Sequence, residues 1–271
     1  PFLHARFVAP VVEGGRGIAA VIEDKTGRRA IRAKMFIDAT GDGDLIARAV
    51  LPFEKWSDLQ PPTMCMRVRC PNESTIGRMA DVVFDARFRD RLPLGFYWYA
   101  PIPDVPDEWM IAGTRVPGAD GGDADSLTAA EIEGRRQIRA MLDIARHHVD
   151  GGGDIRLTAL PSYIGLRESR HARCLHRLTE TEVLDGARFD DAIANGSYRV
   201  DVHHSDKGGL TFRYLDGRED YLVPGQPTVA SRWRPERAED PTFYQIPYRS
   251  MVPVGDRKST SLNSSHRIRY R

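Results

Sequence analysis

Ala33-Lys34-Met35-Phe36-Ile37-Asp38-Ala39-Thr40-Gly41-Asp42-Gly43-Asp44 is the stretch on which the reading of the fold turns. Its apolar run, residues 35–39, predicts a buried strand that breaks at a Gly-Asp turn. Helix-forming residues 45–50 follow, with Asp44 placed to act as the N-cap. A glycine at position 41 lets backbone approach a ligand closely. The start of a helix would offer N–H groups to a phosphate or ribose oxygen. Without a ligand, the same letters describe only a strand ending in a turn.

Working upstream, residues 2–12 are rich in β-formers, and residues 16–23 follow the turn Glu13-Gly14-Gly15. A second turn, Asp24-Lys25-Thr26-Gly27, leads to residues 28–33. Short strands joined by Gly-containing turns predict a β-meander that delivers the chain into the stretch above. Downstream, residues 51–62 form a Pro-bounded connector. Residues 63–70 alternate as a strand, residues 95–101 and 109–116 read as two more, and together they predict an antiparallel sheet. Thr128-Ala129-Ala130-Glu131 has capping-box form ahead of a helix with Ile138, Met141, Leu142 and Ala145 on its apolar face. That helix is expected to end near His148, before Gly151-Gly152-Gly153. Thr179-Glu180-Thr181-Glu182 is a second capping box, with Gly186 beyond the helix end. Residues 190–195 are expected to form another short helix.

The central stretch resembles the second flavin-contacting motif of FAD-dependent oxidoreductases, in which a meander returns the chain to the nucleotide-binding sheet and an Ala-Thr-Gly turn lies against the dinucleotide. Pro161-Ser162-Tyr163-Ile164-Gly165-Leu166-Arg167-Glu168-Ser169-Arg170 resembles the "IGxRES/TR" segment of the branch with a succinate-dehydrogenase- and fumarate-reductase-like layout. Residues 178–186, 189–194 and 198–203 resemble the segments that follow it. Tyr244-Gln245-Ile246-Pro247-Tyr248-Arg249-Ser250-Met251-Val252-Pro253 is similar to the "YxIPYRxLxP" run. The blocks occur in family order over roughly residues 1–255.

The resemblance implies an α/β protein (α+β in the part present): a remnant of an FAD-binding Rossmann-like domain at residues 1–55, and an antiparallel β-rich substrate or cap domain with helices at residues 56–255. It implies FAD as cofactor, bound along Ala39, Thr40, Gly41 and Asp42, and hydride transfer with a small organic substrate. The family's strand–GxGxxG–helix unit and its C-terminal flavin-closing segment are not found in the sequence, so the chain reads as an internal fragment, inactive alone. Residues 256–271 resemble the conceptual translation of a sequencing adapter, departing at Ser261, and are expected to be a non-native tail.

Arg167, Glu168 and Arg170 put opposite charges close together after an apolar segment. A guanidinium there could bind a substrate carboxylate or stabilise negative charge on a reduced flavin; equally, the three could form a purely structural ion-pair network. His203 and His204 follow Asp201 on a predicted strand, where one could move a proton. Strand neighbours face opposite sides, so only one can point inward. Arg167, Arg170 and His203 are therefore the candidate catalytic residues. His171, Cys174 and His176 fit no standard zinc spacing, and no metal site is expected. Tyr97, Trp98 and Tyr99 read as core packing or as a pocket lining.

Composition bounds the other classes. The 271 residues carry 39 Lys plus Arg and 38 Asp plus Glu. Five of the bases and one acid fall in residues 256–271, so the remaining 34 bases and 37 acids leave no basic footprint for nucleic acid. No run approaches the roughly 20 apolar residues of a membrane span. Three cysteines and an opening without a signal-peptide pattern point to a reducing cytoplasm. The alternatives are a non-catalytic carbohydrate- or polymer-binding module using the sheet and its aromatics, or a flavin fold kept for structural purposes. Substrate, electron acceptor and oligomeric state are not legible.

Overall fold

The computed structural model describes residues 1–204 and 206–255; the expectation for the tail falls outside them. The chain divides into two compact units. The first takes Pro1–Trp56, Ser169–Tyr198 and the described residues from Ala238 onward; the second takes Ser57–Glu168 and Arg199–Arg237.

The first unit opens with the expected meander: β1 (Arg6–Glu13), β2 (Arg16–Asp24) and β3 (Gly27–Arg32), all antiparallel. The β2–β3 turn is held by Asp24, whose carboxylate accepts from the Thr26 N–H at 2.9 Å and the Thr26 hydroxyl at 2.6 Å, the turn-forming use of Asp. Ala19 and Ile22 are the meander's buried residues.

Residues 35–39 correct the expectation of a buried strand. Met35 and Ile37 are exposed and no strand forms; of the large apolar residues Phe36 alone turns back, placing its ring 3.6 Å from where a side chain on Gly17 would begin, and the buried residue of the run is Asp38. Among the described residues no neighbouring strand offers these residues a ladder, and an apolar run without a partner does not become a strand. The helix that follows, α1 (Asp44–Arg48), is also one residue out of register with the reading. Its N-cap is Gly43 in the left-handed region, and Asp44 is the first helical residue.

Past β4 (Phe53–Glu54) the chain enters the second unit, where β5 (Cys65–Arg69) alternates as its sequence predicts. Met66 and Val68 point into the core, and Cys65, Arg67 and Arg69 point away. After α2 (Glu73–Val83), capped by Asn72 accepting from the Ser74 N–H at 3.0 Å, come β6 (Trp98–Pro101) and β7 (Glu108–Ala112). The long α3 (Ala124–His148) and β8 (Arg156–Ala159) complete a four-stranded antiparallel sheet ordered β6-β7-β5-β8. Met66 pairs with Ile111 and Val68 with Trp109, so apolar residues share one face and meet Met79, Met141 and Ile144 from the helices.

The start of α3 departs from the expected capping box. Asp123 is the N-cap, accepting from the Ser126 N–H at 2.8 Å, and Thr128 lies inside the helix with its hydroxyl donating to the Ala124 carbonyl. A good cap five residues upstream, followed by helix-formers, wins over the later Ser/Thr-x-x-Glu pattern. Glu131 instead accepts from the Ile164 N–H at 2.6 Å. Gly134 lets α3 sit close: a Cβ there would lie 2.9 Å from that of Met64.

The chain returns to the first unit through β9 (His171–Ala172), which pairs with β4, and α4 (Glu180–Leu184), whose capping box is complete as read from Thr179 and Glu182. Residues 190–195 are not helical. They contribute β10 (Ala192–Gly196), and the ladder comes from a segment some fifty residues later. In the second unit β11 (Val200–His203), β12 (Leu210–Arg213), β13 (Arg218–Leu222) and β14 (Val229–Arg232) form a second antiparallel meander. Back in the first unit, β15 (Tyr244–Pro247) is the partner of β10. Every strand pair among the described residues is antiparallel, an α+β arrangement. No helix among them is long and apolar enough to cross a membrane.

Candidate functional site

Each unit gathers part of the set read from the sequence. In the second unit the segment carrying Arg167 is pinned by a two-way bridge: the Thr63 N–H donates to the Gly165 carbonyl at 3.0 Å and the Gly165 N–H returns to Thr63 at 2.9 Å. The Gln60 N–H donates to the buried Glu168 carboxylate at 2.9 Å, fixing the residue next in line. Arg167 then directs two nitrogens to the Thr63 hydroxyl, at 3.3 and 3.0 Å, and its Nη1 to His203 Nε2 at 2.8 Å.

Two partners compete for His203 Nε2. A guanidinium only donates, so Nε2 accepts from Arg167 in the tautomer that carries its proton on Nδ1. Asp201 Oδ1 lies 3.2 Å from the same Nε2 and is its partner when that nitrogen is protonated. Burial pushes the Asp201 carboxyl up, but His203, Arg167 and Arg199 together outweigh it and hold the group below the usual carboxylate range. Asp201 and His203 are two apart on β11 and so share a face. His204, one step on, meets the Thr211 hydroxyl at 2.9 Å, and burial moves its pKa down. The Cys65 thiol is pushed up by burial, against the opposing charge of Arg167.

In the first unit the turn at Asp38 to Asp44 is built around one buried carboxylate. Asp38 accepts from the Thr40 N–H at 3.1 Å and the Thr40 hydroxyl at 2.7 Å through Oδ1, and from the Ile46 N–H at 2.9 Å through Oδ2. The Thr40 hydroxyl in turn accepts from the Asp44 N–H at 2.9 Å. Ser169 donates to Asp42 Oδ1 at 2.7 Å, and Arg170 donates to the Asp42 carbonyl at 3.0 Å and to Asp44 at 2.8 Å. Ala39, Thr40 and Gly41 stay exposed on this rigid frame. Gly41 has φ +88°, which L side chains rarely adopt, and no atom within 4 Å of where a Cβ would stand. A flat ligand can therefore reach bare backbone at Gly41.

Of the residues singled out in the sequence, Arg167 and His203 meet directly, while Arg170 is engaged with Asp42 and Asp44 beside the Ala39–Thr40–Gly41 edge. Thr63 and Asp38 were missed. Asp38 lay within reach of its signal, since an Asp two residues before a Thr commonly forms a side-chain turn. Thr63 had none, standing 104 residues from Arg167. The aromatic run divides: Tyr97 is buried and its hydroxyl donates to the Ile76 carbonyl at 2.8 Å, Tyr99 packs half-buried against the core, and Trp98 is exposed. His176 lies 3.2 Å from Glu182, and His171 meets the edge of Trp56. Among the described residues no three His, Cys, Asp or Glu side chains converge as a metal site.

A family model described as FAD dependent oxidoreductase matches residues 1–258. No curated protein and no solved structure matches the chain.

Proposed function

The chain belongs to the FAD-dependent oxidoreductase family, whose cofactor is FAD, and from that premise we propose that it takes part in hydride transfer between flavin and a small organic acid. The branch we assign is the succinate-dehydrogenase-like one. On this reading residues 1–55 are the later part of the flavin-binding domain, a Rossmann-like remnant, and residues 56–255 are the substrate-side domain with its return. The compartment we propose is the cytoplasm.

The exposed backbone of Ala39, Thr40 and Gly41, with open space in front of Gly41, fits the edge of a dinucleotide. Asp42, fixed by Ser169 and Arg170, stands beside it. When bound, the flavin supplies the two-electron chemistry, and the protein supplies orientation and charge. Arg167 presents a guanidinium fork suited to a carboxylate. With Nε2 unprotonated, His203 can accept a proton there, and Asp201, 3.2 Å away, then stabilises the imidazolium. The observation that carries the proposal is the Arg167–His203–Asp201 constellation, a fixed cation beside a proton acceptor backed by a carboxylate.

Because these residues hold only one edge of the cofactor, affinity of the chain for FAD is expected to be weak. Submicromolar binding in a fluorescence-quenching titration would place the flavin elsewhere. Anaerobic mixing with saturating FAD and a panel of small mono- and dicarboxylic acids then tests the chemistry. Bleaching of the flavin absorbance by an acid, lost in Arg167→Gln and His203→Gln, supports the proposal. Bleaching that survives both substitutions, or none by any acid while FAD is bound, overturns it.

A further inference from the structure

A cavity of ≈ 510 Å³ opens along the outer flank of α3 in the second unit, where the helix meets β8, the edge strand of the four-stranded sheet. Its size falls within the range that takes a drug-sized molecule. The floor is apolar: Ile138 and Leu142 from the helix, Leu157 and Leu160 from the strand and the loop after it. Leu157 is 41% exposed, an unusual state for a leucine that lines a recess.

The rim is basic, and its charges are unequally compensated. Arg91 pairs with Asp143, and Arg135 pairs with Glu131 one turn back. Arg146 gives Nε and Nη2 to the Ile155 carbonyl, at 3.2 and 3.1 Å, which holds the side chain in place without neutralising its charge. Arg139 has no hydrogen bond or ion pair among the described residues. Asp143, which lines the same recess, is shared between Arg91 and the field of Arg146. Four guanidinium groups thus face one carboxylate in the lining, and Arg139 stands over the apolar floor with none of its own. A recess walled by low-dielectric side chains focuses such a field. The positions repeat at three and four along one helix, so sequence and fold place them on one stripe.

We infer that this cavity is a binding site for a small amphiphilic anion, a carboxylate head held by Arg139 and Arg146 and a hydrocarbon body laid over Ile138, Leu142, Leu157 and Leu160. The head meets donors of fixed fork geometry, and the body replaces water over leucine and isoleucine side chains. A cation is repelled by the rim, and an anion without an apolar body leaves the floor wet. This site is independent of the flavin chemistry.

Decanoate, kept below its micelle concentration, is the probe, titrated calorimetrically into the whole chain. Saturable one-site binding is expected, with none for decyltrimethylammonium or acetate. Arg139→Glu should weaken it at least tenfold, about 1.4 kcal/mol, and Leu157→Glu should do the same through the floor. Both side chains are solvent-accessible, so an unchanged circular dichroism spectrum is expected for each variant. Arg28→Glu, a surface charge reversal in the first unit, should leave affinity unchanged. The inference is overturned if decanoate shows no saturable binding, if the cationic amphiphile binds equally well, or if both Arg139→Glu and Leu157→Glu bind decanoate like the parent.

Discussion

Asp38→Ala removes the one carboxylate around which the Thr40–Gly41 turn is organised. Three donors lose their acceptor: the Thr40 N–H, the Thr40 hydroxyl and the Ile46 N–H. A hydrogen bond to a charged group is worth about 1.5–3 kcal/mol, and a buried donor left unsatisfied costs about 1–3 kcal/mol. Thr40 is exposed, so water replaces the acceptor for its two donors and little of their share is lost. Ile46 is buried, and its N–H opens the first turn of a five-residue helix with no side-chain cap. The expected loss is therefore about 2–4 kcal/mol, dominated by Ile46. At 1.4 kcal/mol per tenfold this is roughly a thirty- to several-hundredfold drop in hydrogen-exchange protection of the Ile46 amide. Urea unfolding followed by far-ultraviolet circular dichroism should show the corresponding shift. Asp38→Asn keeps an acceptor oxygen and should lose less than half as much. A change below about 0.5 kcal/mol, the scale of surface substitutions, would refute the reasoning and show that the turn is held by its other contacts.

Stability should also depend on Asp201 at acid pH. Its folded pKa lies below the unfolded value of about 3.9, so its contribution is present above that value and is lost as pH falls through the folded pKa. Asp201→Asn should accordingly flatten the acid limb of stability against pH below about 4, read from thermal melts; an unchanged limb would contradict the assigned direction. Gly134→Ala gains about 1 kcal/mol of helix propensity but puts a Cβ 2.9 Å from that of Met64 and 3.2 Å from Ile164 Cδ1. Overpacking costs about 1–3 kcal/mol, so denaturant midpoints should show a net loss, and a stabilised variant would mean that α3 shifts freely. Thr179→Ala breaks the capping box of α4 and should cost about 1 kcal/mol by urea titration.

What could be read from the letters alone was what is encoded within a few residues. The alternation of Cys65, Met66, Arg67, Val68 and Arg69 follows from the two-residue period of a strand with one buried face. The capping box at Thr179 and Glu182 is a three-residue relation, and the β1–β2–β3 meander needs only its turns and short apolar strands. The family resemblance rested on such local blocks taken in order, and it survives in the match over residues 1–258. Where the outcome depended on a distant partner, the letters were silent or misleading. Residues 35–39 look like a strand and lack a ladder, while residues 190–195 look helical and yet residues 192–196 are paired by residues 244–247. Candidate chemistry divides the same way. The sequence put Arg167 and Arg170 three apart with no means of separating them. Tertiary structure sends Arg167 to His203, 36 residues on, and Arg170 to Asp44, 126 residues back. A local propensity contributes tenths of a kcal/mol per residue, whereas a buried charge without its partner costs several, so long-range pairing decides where each guanidinium goes.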